Sequence, residues 1–438
     1  MLLVKPGESV SLDKAFEKII NEKEAALLRP AASQVGAALK EYNYLEIYVF
    51  PSIDSLLAAG IAVNVLLKNN MDFTLSIRAS APRELAEPSL LLGYPAQGAQ
   101  EIRAQRPSAL IGIGEKPPGL LHVAVTSSSD SSIAALTAAV FSELTVVGYS
   151  SIYGLVAGYW RGLDKGKKAS FIGIEASIAE MLKLENKVEE LFSLKLFRWP
   201  EIATEEAMAR TLDPYLPGLS GDLDACTKLL KEDPRLVKLL GKRLEEAPEQ
   251  SIATLGEKLY ELLKKKSKGP RRPTDVIGIS YYSQVFPLRD LREAVYVLSH
   301  YAARGYAKQL SLITVNERVI SAAALYLYTK NFLGIVETIN KLITGNTQRS
   351  LVLNRVKIKK TSIRKEYVPI AERVLRQLGY LGEQEILGTE AEEGLLALAE
   401  DLLQGLGPGS FLDYVARGCI EYLEGTIFAK INEEKCRQ

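Results

Sequence analysis

"VFPSIDSLLAAGIAV", residues 49–63, joins two kinds of pattern. The apolar run "YLEIYVF" (44–50) ends in Pro51 and Ser52, and the small-residue stretch "DSLLAAGIAVNVLLKNN" (54–70) follows at helical spacing. A strand, a sharp turn and a helix place residues 50–55 at the carboxyl edge of a sheet, where doubly wound folds bind ligands. Asp54 at such a turn reads most simply as a helix N-cap, since its carboxylate can accept backbone N–H bonds.

The flanking sequence repeats the alternation. "FTLSIRA" (73–79), "SLLLGYP" (89–95), "ALIGIG" (109–114), "LHVAVTS" (121–127) and "LTVVGYS" (144–150) are short apolar runs suited to parallel strands buried on both faces. "SSIAALTAAVFSEL" (131–144) reads as a helix, with the Ser-rich "TSSSDSS" (126–132) either capping it or forming a phosphate-binding nest. The expected class is α/β, with a parallel sheet.

Beyond residue 164 the pattern turns helical. "IEASIAEMLKLENKVEELFSL" (174–194), "DACTKLLKEDPRLVKLLGKRLEEA" (224–247) and "TLGEKLYELLKKK" (254–266) carry apolar stripes with Glu and Lys opposite. "KKKSKGPRRP" (264–273) is basic and broken by Gly and Pro, as a surface linker is. A second α/β segment begins at "DVIGISYYS" (275–283). These shifts predict an α/β domain over 1–205, a helical insertion with a basic linker over 206–272, and a connector with a second α/β domain over 273–438.

Composition excludes several functions. Hydrophobic residues make up 47% and charged residues 24% of 438, an ordinary globular balance. Lys and Arg (54) nearly equal Asp and Glu (53), so any nucleic-acid footprint must be local. The 2 histidines, His122 and His300, rule out a histidine cluster. Without a G-x-S-x-G elbow, a serine hydrolase is not supported. "GIGEKPPG" is not a P-loop, because no G-K-[ST] follows its glycines. Cys226, Cys419 and Cys436 lack Cys-x-x-Cys spacing, which argues against a zinc ribbon or disulfide framework and for a reducing, cytoplasmic setting. "MLLVKPGESVSLDKAF" reaches charge and proline too soon for a signal peptide. No run of about 20 uncharged apolar residues reads as membrane-spanning.

"FPSIDSLLAAGI" (50–61) resembles the first motif of DHH-family phosphoesterases, H-x-D-x-D-G-x-x-S-A-A-I. Phe50 stands at the His position, Ser52 and Asp54 at the two Asp positions, and Ser55 at the Gly. "LLLGYP" resembles the second motif, with Gly93 at its Asp. "ALIGIGEKPP" resembles "IVIDHHPP", with Gly114, Glu115 and Lys116 at D-H-H. The fourth motif's Asp falls near Ile152–Tyr153, where no carboxylate occurs. "SLKLFRWPEIATEEAMARTLDPYLPGLSGDLDACTKLL" (193–230) is similar to the archaeal RecJ-like segment with "T-D-P-Y-I-P-G-L-S-G". "FPLRDLREAVYVLSHYAARGYAKQLSL" (286–312) resembles another, with His300 for an Asn, Ala303 for a Gly, and Arg304 kept. "NRVKIKKTSIRKEYVPIAERVLRQLGYLGEQEILG" (354–388) resembles the start of a DHHA1 domain, with Gly382, Glu383, Gln384 and Glu385 at its G-G-G-H.

The resemblance spans about 44–390 in ordered blocks and points to the archaeal RecJ-like family. Within that family, loss of metal ligands marks the cell division cycle protein 45 branch. A family nuclease uses two Mn²⁺ or Mg²⁺ ions to activate water and hold the scissile phosphate. Such hard cations need several oxygen ligands, and Asp54 is the single one in place; Glu115 adds an oxygen beside the cationic Lys116. The resemblance therefore implies a pseudoenzyme without a metal or other cofactor. It would be a subunit of the archaeal replicative helicase, nucleoid-associated, binding GINS and through it MCM, with single-stranded DNA guided along the interdomain groove. The alternative is an active single-strand exonuclease or phosphoesterase with an altered site. Lys264, Lys265, Lys266, Lys268, Arg271, Arg272 and Arg304 are the candidate phosphate contacts, against a solvated linker that needs no partner. Ile370, Val374, Leu375 and Leu378 form a helical core stripe. The strand-like stretch 354–367 offers an edge for a partner strand, or an ordinary edge guarded by lysines.

Overall fold

The computed structural model describes residues 22–114, 123–128, 130–345 and 350–437. After helix α1 (Glu22–Glu41) comes β1 (Tyr44–Val49), then α2 (Ile53–Lys68), β2 (Asp72–Ile77), β3 (Ser89–Pro95), β4 (Ser108–Ile113) and β5 (Ala124–Ser127). The strands form a parallel sheet in the order β2-β1-β3-β4-β5, with Val49 opposite Ile77 on one side and Leu92 on the other. β3 is buried along its whole length, as its unbroken apolar run requires. The chain winds outward from β1 to β2 and then returns to β3 on β1's other side. The ends of β1 and β3 therefore flank the topological switch point of the sheet.

Helices α3 (Ile133–Ser142), α4 (Ile152–Trp160) and α5 (Gly173–Leu184) pack in succession, and α3 lies against α2 and α1. Next come β6 (Glu189–Leu194), α6 (Thr204–Arg210), α7 (Leu223–Lys231) and α8 (Glu249–Lys266). β7 (Ile277–Tyr282) then pairs antiparallel with β6, so the helices between them form an excursion out of a two-stranded ladder. α9 (Leu291–Tyr301) packs on α4 and β7, and a π-helical turn at Ala302–Tyr306 precedes the long helix α10 (Glu317–Thr344).

The second α/β unit comprises β8 (Ser350–Leu353), β9 (Val356–Thr361), α11 (Val368–Gln377), β10 (Glu385–Ala391), β11 (Gly394–Leu398), α12 (Ala399–Leu406), α13 (Pro408–Ala416), β12 (Ile420–Tyr422) and β13 (Phe428–Ile431). Its sheet runs β8-β9-β10-β11-β13-β12, with only β9 and β10 parallel. Ile370, Val374, Leu375 and Leu378 are buried as the stripe predicts. One buried cluster joins Leu91, Leu110 and Val125 of the parallel sheet to Ile358, Leu395, Phe411 and Ala429, so the second unit covers that sheet's face.

The expected α/β class with a second sheet-bearing unit is the observed one. Several local expectations fail. "LTVVGYS" (144–150) is not a strand: Gly148 adopts φ +63° and opens a 3-10 turn into α4. Of its apolar residues only Val147 is buried, and Val146 is exposed, so the run lacks the two-sided burial of a parallel strand. The helical reading of 174–194 holds only to Leu184. Asn186 at φ +54° ends the helix, and 189–194 is drawn into β6 by pairing with β7. Cys419 and Cys436 form a disulfide, because α13 and the β12–β13 hairpin bring them to a Cα separation of 4.9 Å. α10 is, by length and composition alone, long and apolar enough to cross a membrane. Ser321, Ala324, Tyr328, Ile335, Val336 and Ile339 line its buried side against α9 and α11. In the 354–367 stretch, β9 sits between β8 and β10; the sheet's edges are β8 and β12.

Candidate functional site

The switch point is filled from both sides. Phe50, directly after β1, is fully buried, with its ring edge-on to Tyr94 and to Phe411 of α13, both at 5.9 Å. Phe50, which replaces a ligand histidine of the resembled motif, thus anchors the second unit. Ser52 is the N-cap of α2: its Oγ accepts from the Ser55 amide at 3.2 Å and lies 2.8 Å from Ser55 Oγ. Gly93 has φ +80°, and a Cβ there would stand 1.7 Å from Ser55 Oγ. The serine at the family's glycine position therefore occupies the space that a side chain at 93 would need. The two departures form one packing unit.

Asp54 is not the cap of its own helix. It lies in the first turn of α2 and reaches across to α3, where its Oδ2 and Oδ1 accept from the amides of Ile133 and Ala134, each at 2.9 Å. Arg161 Nη1 stands 3.8 Å from Oδ2 and donates to the Ser131 carbonyl at 3.0 Å. Burial raises the Asp54 pKa; Arg161 first, and then the two amides, oppose the rise. Ser132 caps α3, its Oγ accepting from the Ala135 amide at 3.1 Å, and its own amide donates to Glu175 Oε1 at 2.6 Å. Burial pushes Glu175 up to about 7 against those hydrogen bonds, with Asp54 adding repulsion. The Ser-rich turn is thus a cap already supplied with protein carboxylates, which leaves little for an anion at α3.

Between the two units a cleft of about 460 Å³ opens beside Trp160 and Arg161. Trp160 Nε1 donates to Glu400 Oε2 at 3.0 Å, and burial followed by Asp401 pushes Glu400 up to about 7. Arg376 holds Glu372 at 2.6 Å. Three guanidinium groups, of Arg161, Arg373 and Arg376, line the cleft together with the carboxyls of Glu372, Glu400 and Asp401, and burial raises the pKa of all three carboxyls. Sequence reasoning missed Arg161, Glu175, Glu400 and Phe411, which sit within ordinary helical patterns and acquire meaning only through partners distant in the chain.

The residues at this centre do not fit a two-metal site. Asp54 commits both oxygens to backbone amides, Phe50 offers no donor, Gly114 bears no side chain, and Gly93 cannot accept one. Among the described residues, no three His, Cys, Asp or Glu side chains converge as a metal site would require. Glu115, Lys116 and His122 lie outside the described residues. Ile152 and Tyr153, at the fourth motif, begin α4 as buried core, with the Tyr153 hydroxyl donating to Glu317 at 2.5 Å.

The basic candidates differ in their surroundings. Lys264, Lys265 and Lys266 are exposed on the last turn of α8. The following linker is packed rather than free: Lys268 N donates to the Leu378 carbonyl at 2.9 Å, and its ammonium lies 4.4 Å from the Tyr380 ring centre. Arg271 and Arg272 turn toward a separate cavity. Arg304 sits in the π-helical turn and pairs with Glu366 at 3.8 Å. Gly382 and Glu385, in the degenerate G-G-G-H stretch, close a small turn through a 3.1 Å amide–carboxylate bond, and Glu385 is held by Lys359 at 2.7 Å.

No protein-family model matches the chain, and no curated protein matches its sequence. Among solved structures it is similar to CDC45 from Entamoeba histolytica, with a TM-score of 0.56 at 10% identity over 96% of each chain. RecJ from Thermus thermophilus in complex with Mn²⁺ aligns with a TM-score of 0.40 at 10% identity, over 93% of this chain and 52% of that one. A manganese-bound exonuclease RecJ aligns at 0.38 and 11% identity, over 96% and 93%. The first likeness shows the fold over nearly the whole length of both chains.

Proposed function

We propose that this chain is a catalytically inactive RecJ-fold subunit that works by assembly, docking on GINS and through it on the MCM ring of an archaeal replicative helicase. The observation that carries this reading is the use made of the old switch-point site. Its remaining carboxylate, Asp54, is committed to the amides of α3. Its histidine position is an aromatic anchor for the second unit. The aspartate position of the second motif is a glycine held open for Ser55. The aromatic at 50 ties the two units together, the other two features tie α2 to α3 and to β3, and all three leave the site less able to bind phosphate or metal, as suits a rigid bridging part. The end-to-end likeness to CDC45 and the ordered resemblance of 193–230 and 354–388 support the same reading.

The test pairs two measurements on the full chain. Mixed with purified GINS, it is expected to co-migrate in size-exclusion chromatography, and to retain MCM only when GINS is present. Incubated with single-stranded DNA and Mn²⁺, it is expected to leave the strand intact. Cleavage that disappears in Asp54→Ala would establish the nuclease reading in its place.

A further inference from the structure

Behind the interdomain cleft, past Gly162, Arg373 and Gln377, lies a second cavity of about 370 Å³. Four cations line it: Lys195, Arg271, Arg292 and Arg373, with side chains between 4% and 15% exposed. Three carboxylates face them. Asp164 takes Lys195 at 3.3 Å and Arg292 at 3.1 Å; Asp213 takes Arg292 at 3.7 Å and Arg373 at 3.5 Å; Asp275 takes Arg271 at 3.6 Å. One buried positive charge is left over, and the exposed Lys165 and Arg272 at the mouth raise the excess to three.

A purely structural ion network accounts for most of this cluster. Arg373 is fully used, since it also donates to the Tyr159 carbonyl at 2.6 Å and to the Tyr296 hydroxyl at 3.1 Å. It does not account for Arg271. Two of that guanidinium's nitrogens, Nε and Nη2, are buried without a hydrogen-bond partner; so are Arg292 Nε and Gln377 Oε1, on residues lining the same cavity. An unpaired buried donor on a cation is costly; Nε with Nη2 is the edge that grips a phosphate bidentately, and a turn of the Arg271 side chain that brings this edge to the cavity gives both donors a partner.

We infer that this cavity is a binding site for a phosphate dianion, carried on a small monoester of mononucleotide size, with Arg271 as its bidentate anchor and Lys195, Arg292 and Lys165 as the surrounding charge. The volume lies in the range of small-molecule sites and exceeds what a bare phosphate needs. A dianion also offsets most of the excess charge. The Lys195 ammonium is disfavoured by burial and then by Arg292, a strain that a bound anion relieves. The site is separate from the filled switch point, and the inference does not depend on the proposed assembly role.

Calorimetric titration of the full chain with AMP, inorganic phosphate and adenosine tests it. AMP is expected to bind saturably, adenosine not at all. Arg271→Ala is expected to weaken AMP by roughly tenfold or more, and Arg271→Lys by less, because charge remains while the fork is lost. AMP tighter than phosphate assigns the cavity's volume to the organic part; equal affinity keeps the anion site but assigns it to the free ion. Should Arg271→Ala fail to fold, a rise in the wild-type melting temperature with AMP, absent with adenosine at equal ionic strength, carries the test. No saturable binding of either phosphate probe at millimolar concentration, or unchanged affinity in a folded Arg271→Ala, would overturn the inference.

Discussion

Asp54 is the residue on which catalysis and architecture compete, and its surroundings favour architecture. Its carboxylate is the acceptor for two buried amides and the partner of Arg161. An ordinary N-cap is worth about 0.5–2 kcal/mol. Removing Asp54 also strands a partly buried guanidinium, so Asp54→Ala is expected to cost roughly 3–5 kcal/mol in urea unfolding. Asp54→Asn, which keeps one acceptor oxygen, should cost less; a loss below about 1 kcal/mol for the alanine would refute this role. His300 offers a second test. It is buried between Tyr328 and Tyr367, neither ring nitrogen has a partner, and burial lowers its pKa from 6.5 to about 4 although Glu366 acts the other way. The unfolded chain takes up the proton first as pH falls. Stability from neutral His300 is therefore complete above pH 6.5 and declines between 6.5 and about 4, by up to roughly 3 kcal/mol. His300→Leu should lose that part of the pH dependence, read as the difference in slope between the two proteins. An unchanged slope would mean that His300 is already protonated or not sequestered.

At the scale of elements, the β1–α2 turn and the end of β3 are one device. Gly93→Ala meets Ser55 Oγ and forces a side chain into φ +80°. The first effect is steric and belongs to the pair; the second is a backbone strain of about 1–3 kcal/mol belonging to residue 93 alone. Ser55→Gly is therefore expected to rescue Gly93→Ala in part, leaving the strain. The double-mutant cycle should show a coupling of about 1 kcal/mol or more, and additive losses would sink the idea. What could be read from the sequence follows the same division. β1, β3, β4, α2 and α3 were legible because parallel strands and the helix between them each carry a complete local pattern. The half-helix, half-strand stretch 174–194 was not, because β6 exists through its register with β7, more than 80 residues away. Asp54 was legible as a capping residue, but which helix it caps depends on how α2 and α3 pack; Ser52, which caps α2, was read only as a motif position. The cavity around Arg271 was visible only as a basic linker; its conversion into a lined site required the fold.

For the whole molecule, the aromatic contact between Phe50 and Phe411 and the shared cluster around it make the two α/β units a single packed body. The basic linker after α8 is equally committed. The amide of Lys268 bonds to the Leu378 carbonyl, and a Cβ on Gly379 would lie 2.5 Å from the Gly269 nitrogen, so linker and α11 terminus touch at backbone distance. The sequence suggests a boundary at residue 272, but a cut there removes β7 from β6, α9 from α4, and the cover from the parallel sheet's face. Fragment 1–272 would then expose Phe50, Leu91, Leu110 and Val125, a contiguous apolar surface that a separately folded domain does not leave open. It is expected not to unfold cooperatively by itself, whereas co-expression with 273–438 should restore a soluble, cooperatively melting complex. Near-ultraviolet circular dichroism through a thermal ramp reads both outcomes. A sharp, independent transition for 1–272 would show that the covering unit is dispensable. If the fragments depend on each other as expected, loss of GINS binding on truncation would report only loss of fold, and the docking surface would have to be mapped by substitutions at exposed positions such as Val352 on the free β8 edge or Tyr326 and Leu333 on α10.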